Sequence, residues 1–160
     1  MERSRCHADA ATVQAVCEKS LIHCPSRPAI PFAFATIALS GSVDAGRLQR
    51  GRERLGVLGS HVDDGADATA QWRYFAGDDG QRLASLHSAL VGAADVVLFA
   101  RGGYGLFRLL HRIDWQAVAA SRKVFCGYSD VTAFSLASLA CAGYVTFAGP
   151  VAAGEFAQTE

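Results

Sequence analysis

The sequence predicts an α/β domain, a parallel sheet flanked by helices. Three observations point to it. From residue 31 onward, short apolar runs of strand length alternate with amphipathic stretches of helix length. The chain has 160 residues, which suits one domain and leaves no room for two full ones. Breaks rich in Gly, Ser and Asp follow the apolar runs, where an open parallel sheet carries its ligand-binding loops.

The elements follow in order. Residues 32–39 form a continuous apolar run with the length of a buried strand, broken by Ser40-Gly41-Ser42. Asp44 caps a helix to about Leu58, with Leu48, Leu55 and Leu58 on one face and Gly59 as a stop. Residues 61–69 hold at most a short strand. Asp78 with Gln81 three residues on predicts a capping box, and Leu83, Leu86 and Leu90 then share a helical face. Residues 95–100 (DVVLFA) read as a buried strand, and residues 101–105 (RGGYG) as a turn. Helical pieces are expected over 106–111 and 115–120, and a strand over 123–127 (KVFCG). Residues 131–141 are apolar nearly all round, which predicts a buried helix closed by Gly143. Residues 144–148 (YVTFA) read as the last strand.

Composition excludes several classes. Lys plus Arg equals Asp plus Glu at 15 each, so nothing calls for nucleic acid or an anionic membrane as partner. Five cysteines are present, an odd number, and two lie in apolar runs, so a reducing compartment is expected rather than a disulfide framework. Residues 1–20 show no secretory signal, and the apolar run 29–39 is too short to span a bilayer. A cytoplasmic location follows as an expectation. Residues 1–30 stand apart as an N-terminal extension from a domain over 31–160. They hold Cys6, His7, Cys17, His23 and Cys24, but lack the close cysteine pair of common zinc modules, so no metal or other cofactor is assigned.

Four breaks should open onto one sheet edge: Ser40-Gly41, residues 101–105, residues 127–130 and Gly149-Pro150. In residues 125–130 (FCGYSD) a strand ends, Ser129 follows Gly127 by two, and a helix begins at once. Such a layout projects a Ser hydroxyl above the sheet and aims the next N–H at a developing oxyanion. Val131 stands where a G-x-S-x-G pattern has its last Gly, and Ser129 or Asp130 serves equally as a plain N-cap. The glycine turn can cradle a phosphate, an oxyanion or a carboxylate with bare N–H groups, or be a tight turn on which Tyr104 packs. It is neither G-x-G-x-x-G nor a P-loop. His87 falls on the apolar helix face as a packed histidine. Cys126 sits in a strand, buried and inert. His111 and Asp114 look like capping or surface groups, Asp78 and Asp79 like helix-start carboxylates. Tyr74 and Phe75 read as packing, or as the lining of a groove.

The blocks YFAGDD (74–79), RGGYG (101–105), GYSD (127–130) and TFAGP (146–150) stand in the order found in the LD-carboxypeptidase family, which this sequence resembles from about residue 34. Residues 82–87 (RLASLH) and 112–115 (RIDW) also fit. The resemblance implies a class I glutamine amidotransferase-like, Rossmann-like N-terminal domain followed by a separate C-terminal domain. It implies a serine peptidase that removes the terminal D-alanine of a murein tetrapeptide in peptidoglycan recycling. A related branch comprises microcin-type self-immunity peptidases. Carried over by motif, Ser129 is the nucleophile, and the amides of Asp130 and Gly103 form the oxyanion hole. Arg101, Gly102 and Tyr104 lie in the substrate-binding turn, with Arg101 either a carboxylate clamp or a group that pins the loop through an internal ion pair.

Two departures stand out. Leu39-Ser40-Gly41 replaces the family's Pro-Ser-Gly, and the family's Glu and His lie in a C-terminal domain beyond Glu160. The expected partners are therefore a murein peptide and a C-terminal domain that supplies Glu and His. Self-association, a homodimer included, is expected of the surface which that domain would cover. On this reading the chain alone is inactive. The alternatives are a non-catalytic truncated remnant and a small-ligand or phosphate-binding α/β module that uses Gly102 to Gly105.

Overall fold

Apolar runs and their breaks set the sheet. The computed structural model describes residues 32–57, 61–63 and 67–158. The N-terminal extension with its Cys and His residues, and the Gly59 stop, lie outside the described residues. Five parallel strands are described: β1 (Ala33–Ile37), β2 (His61–Asp63), β3 (Val96–Phe99), β4 (Val124–Gly127) and β5 (Phe147–Ala148). Their order across the sheet is β2-β1-β3-β4-β5. Ile37 pairs with Phe99, Leu98 with Cys126, and Gly127 with Ala148, so the strand ends lie side by side. The chain steps outward from β1 to β2 and then back across to β3. That reversal opens a crevice beyond the carboxyl ends of β1 and β3.

Four α-helices are described: α1 (Ala45–Val57), α2 (Asp79–Val91), α3 (Trp115–Ala120) and α4 (Val131–Ala142), with a 3₁₀ helix over Leu106–Arg112. Local chemistry starts them. The Asp44 carboxylate accepts the Arg47 N–H at 2.8 Å, and Asp114 does the same for Ala117 at 3.0 Å. Asp78 and Gln81 make the expected capping box, at 2.8 and 2.9 Å. At the other end of α2, the buried Lys123 ammonium donates to the carbonyls of Gly92 and Ala94, which places a cation at a helix C-terminus.

Two core clusters cover the sheet. The larger joins Ile37, Val97, Phe99 and Phe125 to Leu86, Leu106, Val118 and Phe134. Phe134 lies at its centre, 5.2–5.3 Å from the rings of Phe99, Trp115 and Phe125. The smaller cluster packs Leu48 of α1 and Ala152 of the final segment against Ala38 and Ala100. Arg52 of α1 also donates to the Thr36 hydroxyl of β1 at 2.7 Å.

Three expectations are corrected. Helix α4 is not buried all round: Val131, Phe134 and Ser138 face the core, whereas Leu136 is 64% and Leu139 54% exposed. Only one face of the sheet is available to it, so an all-apolar helix presents its second face to solvent. The last strand shrinks from 144–148 to Phe147–Ala148, both exposed, because it lies at the sheet edge. His87 is exposed rather than packed, since the buried stripe of α2 runs through Arg82, Ser85, Leu86 and Ala89. Among the described residues no helix is long and apolar enough to cross a membrane.

Candidate active site

Strand β4 ends at Gly127 and α4 begins at Val131, leaving three residues to make the turn. Ser129 takes up the strain with φ 66°, a left-handed conformation that costs an ordinary residue roughly 1–2 kcal/mol. Strain of this kind persists where the surroundings hold it in place, and functional sites are where it collects. The glycine turn after β3 presses against this serine. A Cβ on Gly102 would stand 2.8 Å from Ser129 Cβ and 3.1 Å from its Oγ, so only glycine permits this approach. The break after β1 closes the group, with the Gly41 N–H donating to the Gly102 carbonyl at 3.3 Å.

Asp130 departs from the N-cap role. Its backbone is already helical (φ −57°, ψ −26°), whereas a capping residue is extended, and its carboxylate makes no cap bond. Instead Oδ2 accepts the Ser40 hydroxyl at 2.8 Å and the Leu106 N–H at 2.9 Å. The side chain thus ties β1 and the end of the glycine turn to the Ser129 turn. Neither the Asp130 nor the Gly103 backbone N–H has a hydrogen-bond partner among the described residues.

A cleft of about 370 Å³ opens here, with Asp44, Arg47, Arg101, Gly103, Tyr128 and Ser129 among its walls. Its size suits a small peptide end, given typical ligand pockets of roughly 300–1,000 Å³. Arg101 pins the neighbouring loop through a carbonyl rather than an ion pair, its guanidinium donating to Ser42 O at 2.8 Å. Tyr104 does not line this cleft and is 65% exposed. The ring that packs on the turn is Tyr74, whose Oη lies 2.7 Å from where a Gly103 Cβ would stand. No histidine lines the cleft among the described residues. His111 is exposed, and Asp114 caps α3 as expected.

Arg82 is the residue that local pattern missed. It is fully buried, donates to the carbonyls of Leu39 (2.6 Å) and Gly105 (3.2 Å), and pairs with Asp79 at 2.5 Å. The Phe75 ring lies under its guanidinium at 4.8 Å. Asp79 is therefore more than a helix-start carboxylate, since Arg108 and Arg112 also approach it at 3.2 and 3.8 Å. Desolvation pushes the Asp79 carboxyl up, but the Arg82 hydrogen bond and the charges of Arg108 and Arg82 outweigh it and hold the group below its ordinary value.

At the outer rim, hydrogen bonding and charge from Glu155 push the Tyr128 phenol up. Glu155 itself is held low: desolvation opposes this, but the N–H groups of Val151 and Glu155 and the Tyr128 hydroxyl prevail. Cys126, expected to be buried, is only half-buried, because its strand lies next to the two-residue edge strand β5, and that partial burial pushes its thiol up. Among the described residues no group of three or more His, Cys, Asp or Glu side chains is placed to hold a metal.

These features define a parallel α/β protein whose crevice presents a strained serine between a glycine turn and a helix N-terminus. Residues 34–149 match the LD-carboxypeptidase N-terminal domain. A Streptomyces coelicolor relative is 43% identical over 138 residues, which cover 81% of this chain and 44% of its own. The muramoyltetrapeptide carboxypeptidase of Oxalobacter formigenes superposes with a TM-score of 0.74 at 34% identity, over 80% of this chain and 43% of that one. An MccF-like protein from Bacillus anthracis gives 0.75 at 29%, over 81% and 40%. The chain belongs to the LD-carboxypeptidase family. It spans less than half the length of these relatives.

Proposed function

We propose that this chain supplies the nucleophile and oxyanion site of a serine-type LD-carboxypeptidase that removes the terminal D-alanine from murein tetrapeptides. The observation that carries the reading is the close apposition of Ser129, strained at the mouth of α4, and the bare backbone of Gly102. The Ser129 Oγ attacks the scissile carbonyl, and its proton passes to a histidine oriented by a glutamate. Those two groups come from a C-terminal segment such as the longer relatives carry. The carbonyl electrons move onto oxygen, which the Gly103 and Asp130 amides stabilise, at roughly 2.7–4 kcal/mol per donor in such sites. Collapse expels D-alanine, whose amine takes the proton, and water then releases the acyl group. Arg101 and Arg47, both in the cleft wall, supply positive charge for the free carboxylate of the substrate.

The test is D-alanine release from an L,D-tetrapeptide, with and without the C-terminal part of a relative, using Ser129→Ala as control. Release that needs the added part and vanishes in the variant is expected. Equal release by wild type and Ser129→Ala would sink the assignment. The match to an MccF-like protein, MccF being the microcin C7 self immunity protein, supports a second reading with a peptide–nucleotide substrate. Faster cleavage of an aminoacyl sulfamoyl nucleoside than of the tetrapeptide would favour it.

A further inference from the structure

Two side chains of opposite charge grip the same two chain junctions from either side. At the Gly105–Leu106 peptide, the carbonyl accepts from Arg82 at 3.2 Å and the N–H donates to Asp130 at 2.9 Å. At Leu39–Ser40, the carbonyl accepts from Arg82 at 2.6 Å and the hydroxyl donates to Asp130 at 2.8 Å. The division follows the chemistry of the groups: guanidinium only donates, and an ionised carboxylate only accepts. Hydrogen bonds to charged partners are the strong and directional kind.

We propose that the Asp130 carboxylate and the Arg82 guanidinium are positioning residues that hold the glycine turn in register with Ser129. The proposal deepens the hydrolase reading above and rests on it. Stability alone is a poor reason for this arrangement. Asp130 forgoes the local cap that its place at the head of α4 offers. Arg82 is fully buried with its Nε unpartnered among the described residues, where an apolar side chain would serve stability as well or better. What the pair achieves is geometric. The break after β1, the glycine turn after β3 and the turn after β4 have no sequence proximity, and the clamp makes one rigid piece of them. Gly103, two residues before the gripped peptide, bears the proposed oxyanion donor. Asp130 immediately follows the nucleophile. Asp79, itself held by Arg108 and Arg112, keeps Arg82 in place from outside.

The test has two readouts on the full chain. Amide hydrogen exchange should rise at Leu106 and across residues 101–106 in Asp130→Ala. It should not rise there in Asp114→Ala, which removes only the cap of α3. Asp130→Asn retains an acceptor oxygen and should restore most of the protection. With the C-terminal part of a relative added, Asp130→Ala should lower kcat by about a hundredfold, the scale of a 1 Å misplacement. KM should stay within about twofold, because the lost interaction acts only in the transition state. Unchanged exchange at Leu106 would overturn the clamp. A loosened turn with kcat intact would overturn its positioning role. If the wild-type chain releases no D-alanine while the exchange pattern holds, the hydrolase reading falls and the clamp stands. Should Asp130→Ala not fold, Ser40→Ala removes a single bond of the clamp and must loosen residues 40–42, or the proposal fails.

Discussion

The crevice above β1, β3 and β4 and the edge formed by β5 and the outer face of α4 are assembled from similar segments, yet they are held in opposite ways. In the crevice, buried charge, a strained serine and close-fitting glycines leave little room for change. Asp130 and Arg82 alone contribute four cross-links there. At the edge, Leu136, Leu139, Val145 and Phe147 stand more than half exposed, and the strand is two residues long. One helix, α4, belongs to both regions: Asp130, the residue just before it, is bolted into the crevice, and its outer face is open. Rigidity is thus concentrated where the proposed chemistry needs fixed distances, and apolar surface is left where a second body of protein could cover it.

The contrast can be broken most forcefully at Gly105. Its φ of 117° excludes side chains, and a Cβ would collide with the Phe75 ring. Gly105→Ala should cost about 2–4 kcal/mol, combining left-handed strain with overpacking, as read from urea midpoints. A loss below about 0.5 kcal/mol, the scale of ordinary surface changes, would show that the turn is soft.

Asp79→Asn gives a smaller effect and a definite pH signature. The folded carboxyl lies below its ordinary value, so its contribution is present above the unfolded pKa of about 3.9. It is lost as pH falls through the folded value. Wild type should exceed the variant in stability near neutrality, and the two should converge in acid. A difference that does not shrink as the pH is lowered below the unfolded value would mean that the carboxylate's charge is not what stabilises.

The smallest effect is expected at the edge. Leu136→Lys and Phe147→Lys should change stability by no more than about 0.5 kcal/mol, since neither side chain is buried. They should reduce any concentration-dependent association seen in sedimentation. A large loss of stability in either variant would place the edge inside a core and erase the contrast.

How much of this was legible in the sequence differs by the range of the interaction. The capping box at Asp78 and Gln81 and the caps at Asp44 and Asp114 are local, and each stands where its pattern implies. Apolar runs of strand length bounded by Gly and Ser marked β1, β3 and β4 to within two residues at either end. The same breaks converge on one crevice, because a parallel sheet brings the carboxyl ends of its strands to one edge. For Ser129 the order of the motifs pointed to the residue, whereas local pattern alone left a plain N-cap open.

Tertiary structure decided the rest. Arg82 looks like any polar residue of an amphipathic helix. It is buried because Leu39 and Gly105, 43 and 23 residues away, bring their carbonyls to it. The Asp130 carboxylate could have capped its own helix, and only the arrival of Ser40, 90 residues earlier in the chain, gives it a different bond. The two faces of α4 are equally apolar in sequence, so no periodicity tells which is covered. Periodicity and capping report what a segment can satisfy by itself. Which buried polar groups meet, and which apolar faces stay open, depends on what the fold carries in from distant parts of the chain.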